Sequence, residues 1–346
     1  MPTSWIAVFA AVLVLGVAGW LLARARRVGV KPAVSAMDAT PRGAAARQAA
    51  DDHRLHAARA ARAAPPGDAT PATERQILEW LCARAFAEAG TAPGAADAAQ
   101  AEVEAAAVDV LARIDAHPRY TPRRPQLLPQ LTRAINDPAA SAQSIAAILG
   151  QDPALAGNLL RIANSALYRR RGVPVEQLER AVTLLGTEGL RRTAMAALLQ
   201  PVIADDGSAF ARCAALLWDH TLLSADIASR PAGPATRDEL HARQLLALLY
   251  GLGSVVVVQV LRDTWGKRGH GAPALDALVA LLDTWSARCA RSISADWGLS
   301  SRMQRALEEL AEGTGDDGLG ELGQALRLSR AQAADRLSIA GSDGPG

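Results

Sequence analysis

A chain of 346 residues, half of them apolar, has room for one sizeable domain plus additional segments. Its formal net charge of +2 argues against a nucleic-acid binder, which concentrates positive charge on one face. The three cysteines, Cys82, Cys213 and Cys289, are far apart and form no CxxC pair, so the composition excludes a disulfide framework and a zinc knuckle and leaves buried free thiols.

Residues 5–23 form an uncharged apolar run. As a helix it would reach about 28 Å, the thickness of a bilayer hydrocarbon core. Trp5 and Trp20 lie near its ends, where amphipathic rings favour the headgroup level, and Arg24, Arg26 and Arg27 follow at once. No Lys or Arg precedes the run, so the positive-inside rule places the N-terminus outside and the body in the cytoplasm. A cleaved signal peptide would carry its positive charge before the run, and the run would be shorter. Residues 1–30 are therefore expected to be a transmembrane anchor with a basic juxtamembrane segment.

Residues 31–72 shift to Ala, Arg, Pro, Gly and Asp, with too little large apolar surface to offset the entropy of ordering. They read as a disordered linker. His53 and His56 would share a face of any helix there, but two histidines on a tether are not expected to hold a metal. Residues 73–119 read as a helical pair. Thr73 caps the first helix, which carries Ile77, Leu78, Leu81, Ala85 and Phe86 at helical spacing. The second carries Val103, Val108, Leu111 and Ile114. The pattern leaves open whether the pair packs on the main body.

From residue 120 the helices become short and well punctuated. Asp137-Pro138 ends a helix holding Leu127, Leu128, Leu131 and Ile135, because the residue before proline avoids helical geometry. Ser141 caps the next, and Asp152-Pro153 is an N-cap followed by proline at the first helical position. Arg169, Arg170 and Arg171 form a basic turn, either a solvated charge run or a contact for an anion, an acidic partner or the membrane surface. Asn164 is expected to bridge backbone groups at its helix end. The β-branched run at 255–260 continues a helical pattern and reads as a buried helix. Gly251, Gly253 and Gly266 lack the spacing of a phosphate loop. The tail, 313–346, is expected to contain a short helix around 322–337 and a loose polar end. The body is all-α.

The stretch LLPQLTRAINDPAASAQSIAAILGQDPALAGNLLRIANSALYRRRGVPVEQLERAVTLLGTEGLRRTAMA, residues 127–196, resembles the first half of an HDOD domain. The leucine-proline helix, DP break, QDPAL cap, LLRIANSALY and LERAVTLLGTEGLR occur in that order and at that spacing. The resemblance implies an all-α, HD-like multi-helix domain over 120–312, related to HD-type phosphohydrolases. LWDHTLLSADIAS places His220 at the first histidine of the HD set, and LLALLYGLGSVVV places Tyr250 and Gly251 where active relatives carry the His-Asp pair. Ser286 and Glu309 fall near positions where further histidines are common.

HD phosphohydrolases hold one or two metal ions with several His and Asp ligands, and the ions generate hydroxide and neutralise phosphate charge. His220, Tyr250 and Gly251 do not make such a set, so no catalytic residues, metal or cofactor are expected. The resemblance then implies a signalling scaffold, which the apolar run would anchor in a bacterial inner membrane. It would bind cytosolic or membrane signalling proteins through its helical domain and would not bind nucleic acid. Two alternatives stay open. One is a phosphohydrolase with a rearranged site drawn from His220, His241, Asp219, Asp226, Asp238 and Glu239. The other is a small-ligand sensor using the degenerate pocket.

Overall fold

The computed structural model describes residues 72–164, 174–203, 206–230, 233–268, 272–313 and 318–342. The apolar run at 5–23, the linker with His53 and His56, and Arg169, Arg170 and Arg171 lie outside the described residues. Among the described residues all regular structure is helical. The helices are α1 (Glu74–Glu88), α2 (Ala98–Ala112), α3 (Leu128–Asn136), α4 (Ala142–Leu149), α5 (Pro153–Ala163), α6 (Leu178–Leu198), α7 (Ala209–Ala228), α8 (Arg237–Arg268), α9 (Leu275–Asp296), α10 (Ser301–Ala311) and α11 (Glu321–Ser342).

The caps follow the local chemistry. Thr73 and Gln76 form a reciprocal capping box on α1, Ser141 accepts from the Ser144 amide at 3.1 Å on α4, and Asp152 accepts from the Ala154 amide at 2.8 Å on α5. Asn164 closes α5 by donating to the Leu160 and Val175 carbonyls at 2.9 and 2.8 Å and accepting from the Val175 amide. α3, α4 and α5 lean on α6, which bends at Gly186, where φ is 64°. In the second half of α6, buried Arg191 turns its guanidinium to the end of α3 and bonds the carbonyls of Ala134, Ile135, Asp137 and Ala140. Two of these, Ala134 and Ile135, are acceptors that the finished helix leaves unpaired.

The centre of the fold is α8, packed between α7 and α9. By length and composition it could cross a membrane, but 94% of its apolar stretch is buried inside the protein. Leu246, Leu248, Leu249, Val257, Val260 and Leu261 are fully buried and, together with buried Leu252, Val255 and Val258, surround the helix, the pattern of a core helix. Each contributes about 1.5–3 kcal/mol of burial, so the β-branched run serves packing in every direction.

The flanking segments are part of the same body. α1 packs on α7 and α9, and α2 packs on α8 and α9. Gln100 of α2 donates to the Ala272 carbonyl and accepts from the Ala274 amide at 3.1 and 2.9 Å, so its amide stands in for a backbone partner in the loop before α9. Cys82 of α1 and Cys213 of α7, distant in sequence, meet with sulfurs 3.6 Å apart, and all three cysteines are buried and free. The C-terminal helix is longer than the 322–337 expected from the sequence. α11 lies against α7, α8 and α10 and buries Leu322, Leu326, Ala331 and Ala334.

Candidate functional site

The expected HD positions lie where α7 and α8 cross, and the two flanking helices cover them. α7 supplies His220, which is fully buried. Its Nε2 stands 2.9 Å from the Arg330 carbonyl oxygen of α11. A carbonyl only accepts, so Nε2 carries the proton and Nδ1 is left without a partner. Burial, and after it the Arg330 charge, pushes the imidazole down to about 3, so it is neutral in ordinary buffers.

α8 supplies Tyr250, whose hydroxyl donates to Glu74 Oε1 of α1 at 3.2 Å. The Arg330 guanidinium lies over the Tyr250 ring, 4.5 Å from its centroid. It bonds Glu74 through Nε to Oε2 at 2.8 Å and through Nη2 to Oε1 at 2.5 Å. The Arg330 side chain is 2% exposed and Glu74 20%. Burial works against the guanidinium charge, but Glu74 and Tyr250 outweigh it and hold Arg330 above its ordinary value. Burial and the Glu74 charge push the Tyr250 phenol well up.

Gly251 and Gly253 let α8 approach both neighbours closely. A Cβ on Gly251 would lie 2.7 Å from Thr221 Cβ and closer still to its Oγ1 and Cγ2. A Cβ on Gly253 would lie 2.8 Å from the Ala290 amide nitrogen and closer still to the Ser286 carbonyl oxygen. Ser286 instead joins Ser254 in a buried hydroxyl pair at 3.0 Å. Glu309 stands apart from the pocket and accepts from the Gly320 amide at 3.0 Å.

An HD-type metal does not fit these residues. The carboxylate position is a glycine whose missing side chain is replaced by Thr221, His220 Nε2 is committed to a carbonyl, and a charged guanidinium occupies the space above Tyr250. Among the described residues no three His, Cys, Asp or Glu side chains group so as to hold an ion. The rearranged set also points in different directions. Asp226 pairs with Arg192 at 3.2 Å and with Arg230, Glu239 accepts from the Thr236 amide at 2.8 Å, and His241 is buried with neither ring nitrogen bonded. Burial raises the Asp219 carboxyl, whose charged neighbours are Arg212, Arg84 and Glu88.

Glu74 and Arg330 are the residues that sequence reasoning missed. The available signal was a charged side chain on an apolar stripe: Arg330 follows Leu322 and Leu326 at four-residue spacing and precedes Ala334.

Fold and pocket together define an all-α domain with a closed, ion-paired centre. The HDOD domain model matches residues 121–312, more than half of the chain, and the chain belongs to the HDOD domain family. Two solved structures are similar to it. One, a protein from Shewanella amazonensis provisionally named a metal-dependent phosphohydrolase, is 19% identical with a TM-score of 0.43, covering 72% of this chain and 86% of its own. The other, an HDOD domain protein of unknown function from Geobacter sulfurreducens, is 19% identical with a TM-score of 0.39, covering 63% and 73%. No curated protein matches the chain. Glu74 and Arg330 both fall outside the matched residues, one on each side.

Proposed function

We propose that the protein is a non-catalytic signalling scaffold of the HDOD family, held at the bacterial inner membrane by residues 5–23 with its helical body in the cytoplasm. The observation that carries the non-catalytic reading is the commitment of His220, Tyr250 and Gly251 to internal contacts with Arg330, Glu74 and Thr221. A hydrolytic metal centre needs open ligand atoms and a position for water. Here His220 Nε2 and the Tyr250 hydroxyl are engaged, and Thr221 fills the space where a Gly251 side chain would stand. The body would instead present its helical surface to cytosolic or membrane signalling proteins, and the anchor would raise their effective concentration.

The test is elemental analysis of the full chain, purified in detergent without chelator, together with a cyclic-dinucleotide hydrolysis assay. Metal well below one equivalent and no turnover are expected. One or two tightly held ions per chain, with turnover abolished by His220→Ala, would sink the proposal. For the anchor, alkaline extraction of membranes should leave the chain in the pellet, and its release into the supernatant would refute the span. A second reading, a small-ligand sensor, draws on a cavity of about 280 Å³ beside the ion pair, lined by Tyr250, Asp283, Thr284, Arg288 and Arg330. A thermal-shift screen with nucleotides that shows no stabilisation would remove it.

A further inference from the structure

A second polar site lies away from the degenerate pocket, between α6 and the start of α8. A cavity of about 60 Å³, open to solvent, is lined by Arg191, Arg192, Arg237, His241, Gln244 and Glu188, among others. His241 is 7% exposed, and both of its ring nitrogens lack a hydrogen-bond partner. Whichever nitrogen carries the proton, the ring holds a buried donor and a buried acceptor that the protein leaves unsatisfied, a cost that a resident polar group would relieve.

The charge of the lining sets the sign of that group. Three guanidiniums face one carboxylate. Arg191 spends its Nη atoms on the four carbonyls at the end of α3, and its Nε lies 3.6 Å from Glu188. Arg192 Nε is 3.2 Å from Asp226 Oδ1, but the angle makes no hydrogen bond. Arg237 Nη1 is 3.5 Å from Glu188 Oε1, and that carboxylate is 65% exposed, free to turn outward. Further acidic groups nearby are Asp226, shared with Arg230, and Asp238, which acts on His241. Water alone, at about 30 Å³ per molecule, would fill the space, but it would not call for guanidiniums on its wall.

We infer that this cavity binds a phosphoryl oxyanion, as free phosphate or as the end group of a small phosphomonoester, with His241 and Gln244 on its inner side and Arg192 and Arg237 at its mouth. A hydrogen phosphate group both accepts and donates, so it can bond whichever nitrogen of the neutral imidazole faces the cavity.

The test uses the full chain in detergent, titrated with inorganic phosphate and with methyl phosphate against chloride at matched ionic strength. Thermal unfolding should rise by roughly 5–10 °C at 100 times Kd. In ¹⁵N-histidine spectra, the His241 nitrogens should shift with the same midpoint. Arg237→Gln, at a half-exposed side chain that leaves the fold intact, should weaken binding at least tenfold, as should His241→Gln. Comparable affinities for the two ligands would mark a free-phosphate site, and a methyl phosphate preference of tenfold or more would mark a monoester site. No rise above the chloride control would overturn the inference. So would an equal rise in Arg237→Gln, or a rise without movement of the His241 nitrogens.

Discussion

The Glu74–Arg330 pair makes a prediction whose asymmetry comes directly from burial. Arg330 is 2% exposed and Glu74 20%. In Glu74→Gln a buried guanidinium keeps its place over Tyr250 but loses its anion. Removing one partner of a buried pair in this way costs about 3–5 kcal/mol. In Arg330→Met the remaining carboxylate keeps the Tyr250 hydroxyl and can turn toward water, so the cost should be smaller, about 1–3 kcal/mol. The His220 bond is unaffected in either variant, because it uses the Arg330 backbone carbonyl. The double variant Glu74→Gln/Arg330→Met removes the stranded charge and should recover most of the loss, giving a coupling of about 3 kcal/mol. The assay is urea unfolding of the full chain, with thermal melts as a second readout. For a domain of this size each kcal/mol is worth roughly 2–4 °C, so Glu74→Gln should melt roughly 6–20 °C lower. Strict additivity of the two single variants, or a Glu74→Gln cost below about 1 kcal/mol, would refute the reasoning.

Three further outcomes are expected. Gly251→Asp, which restores the carboxylate found in active relatives, should destabilise by about 3 kcal/mol or more through collision with Thr221, and Thr221→Gly should rescue part of the loss in a thermal melt. Arg191→Met strands the carbonyls of Ala134, Ile135 and Ala140, while that of Asp137 keeps the Ala140 amide, and should cost about 3 kcal/mol, read as a lower urea midpoint at unchanged slope. His220 and His241 are held down to about 3 and about 4, below the ordinary histidine value of 6.5, so as pH falls below 6.5 the unfolded chain takes up protons before the folded one. Their stability contribution is complete above that pH and should fall by about 2 kcal/mol per histidine by pH 5. The carboxyls of Asp219 and Asp283, raised in the fold, oppose this only near their own titration. Denaturant midpoints measured from pH 7 to 5 should show the drop, and His220→Gln, whose amide can keep the Arg330 carbonyl bond, should remove half of it.

The all-α class and the local punctuation were legible because each rests on near neighbours. A cap at Thr73, Ser141 or Asp152 needs only the next three residues, and the break at Asp137-Pro138 needs only the ring that follows it. The buried character of 255–260 was readable as well, since helical spacing with no polar face leaves a helix nowhere to go but the core. The centre of the site was not legible, because it is made by residues 256 positions apart in sequence. Glu74 is locally a first-turn acid on α1, and only the arrival of α11 turns it into a counter-ion. The thiol contact between Cys82 and Cys213 was hidden in the same way, by a separation of 131 residues.

The placement of Glu74 and Arg330 on either side of the family match changes what the domain boundary means for this chain. The family-matched residues supply His220, Tyr250 and Gly251, which the resemblance assigns to the HD set, and Thr221 beside Gly251, but not the groups that meet His220 and Tyr250. Those groups come from α1 and α11, and α11 contributes twice: its backbone accepts from His220 and its guanidinium covers Tyr250. A helix that had merely drifted onto an abandoned pocket would be expected to bring apolar side chains, since these need no partner when buried. An arginine is tolerated there only with a carboxylate to meet it, and the carboxylate sits on the opposite terminal helix. The pair therefore ties α1 to α11 across α8, and closing the pocket and joining the two ends of the domain are one structural act.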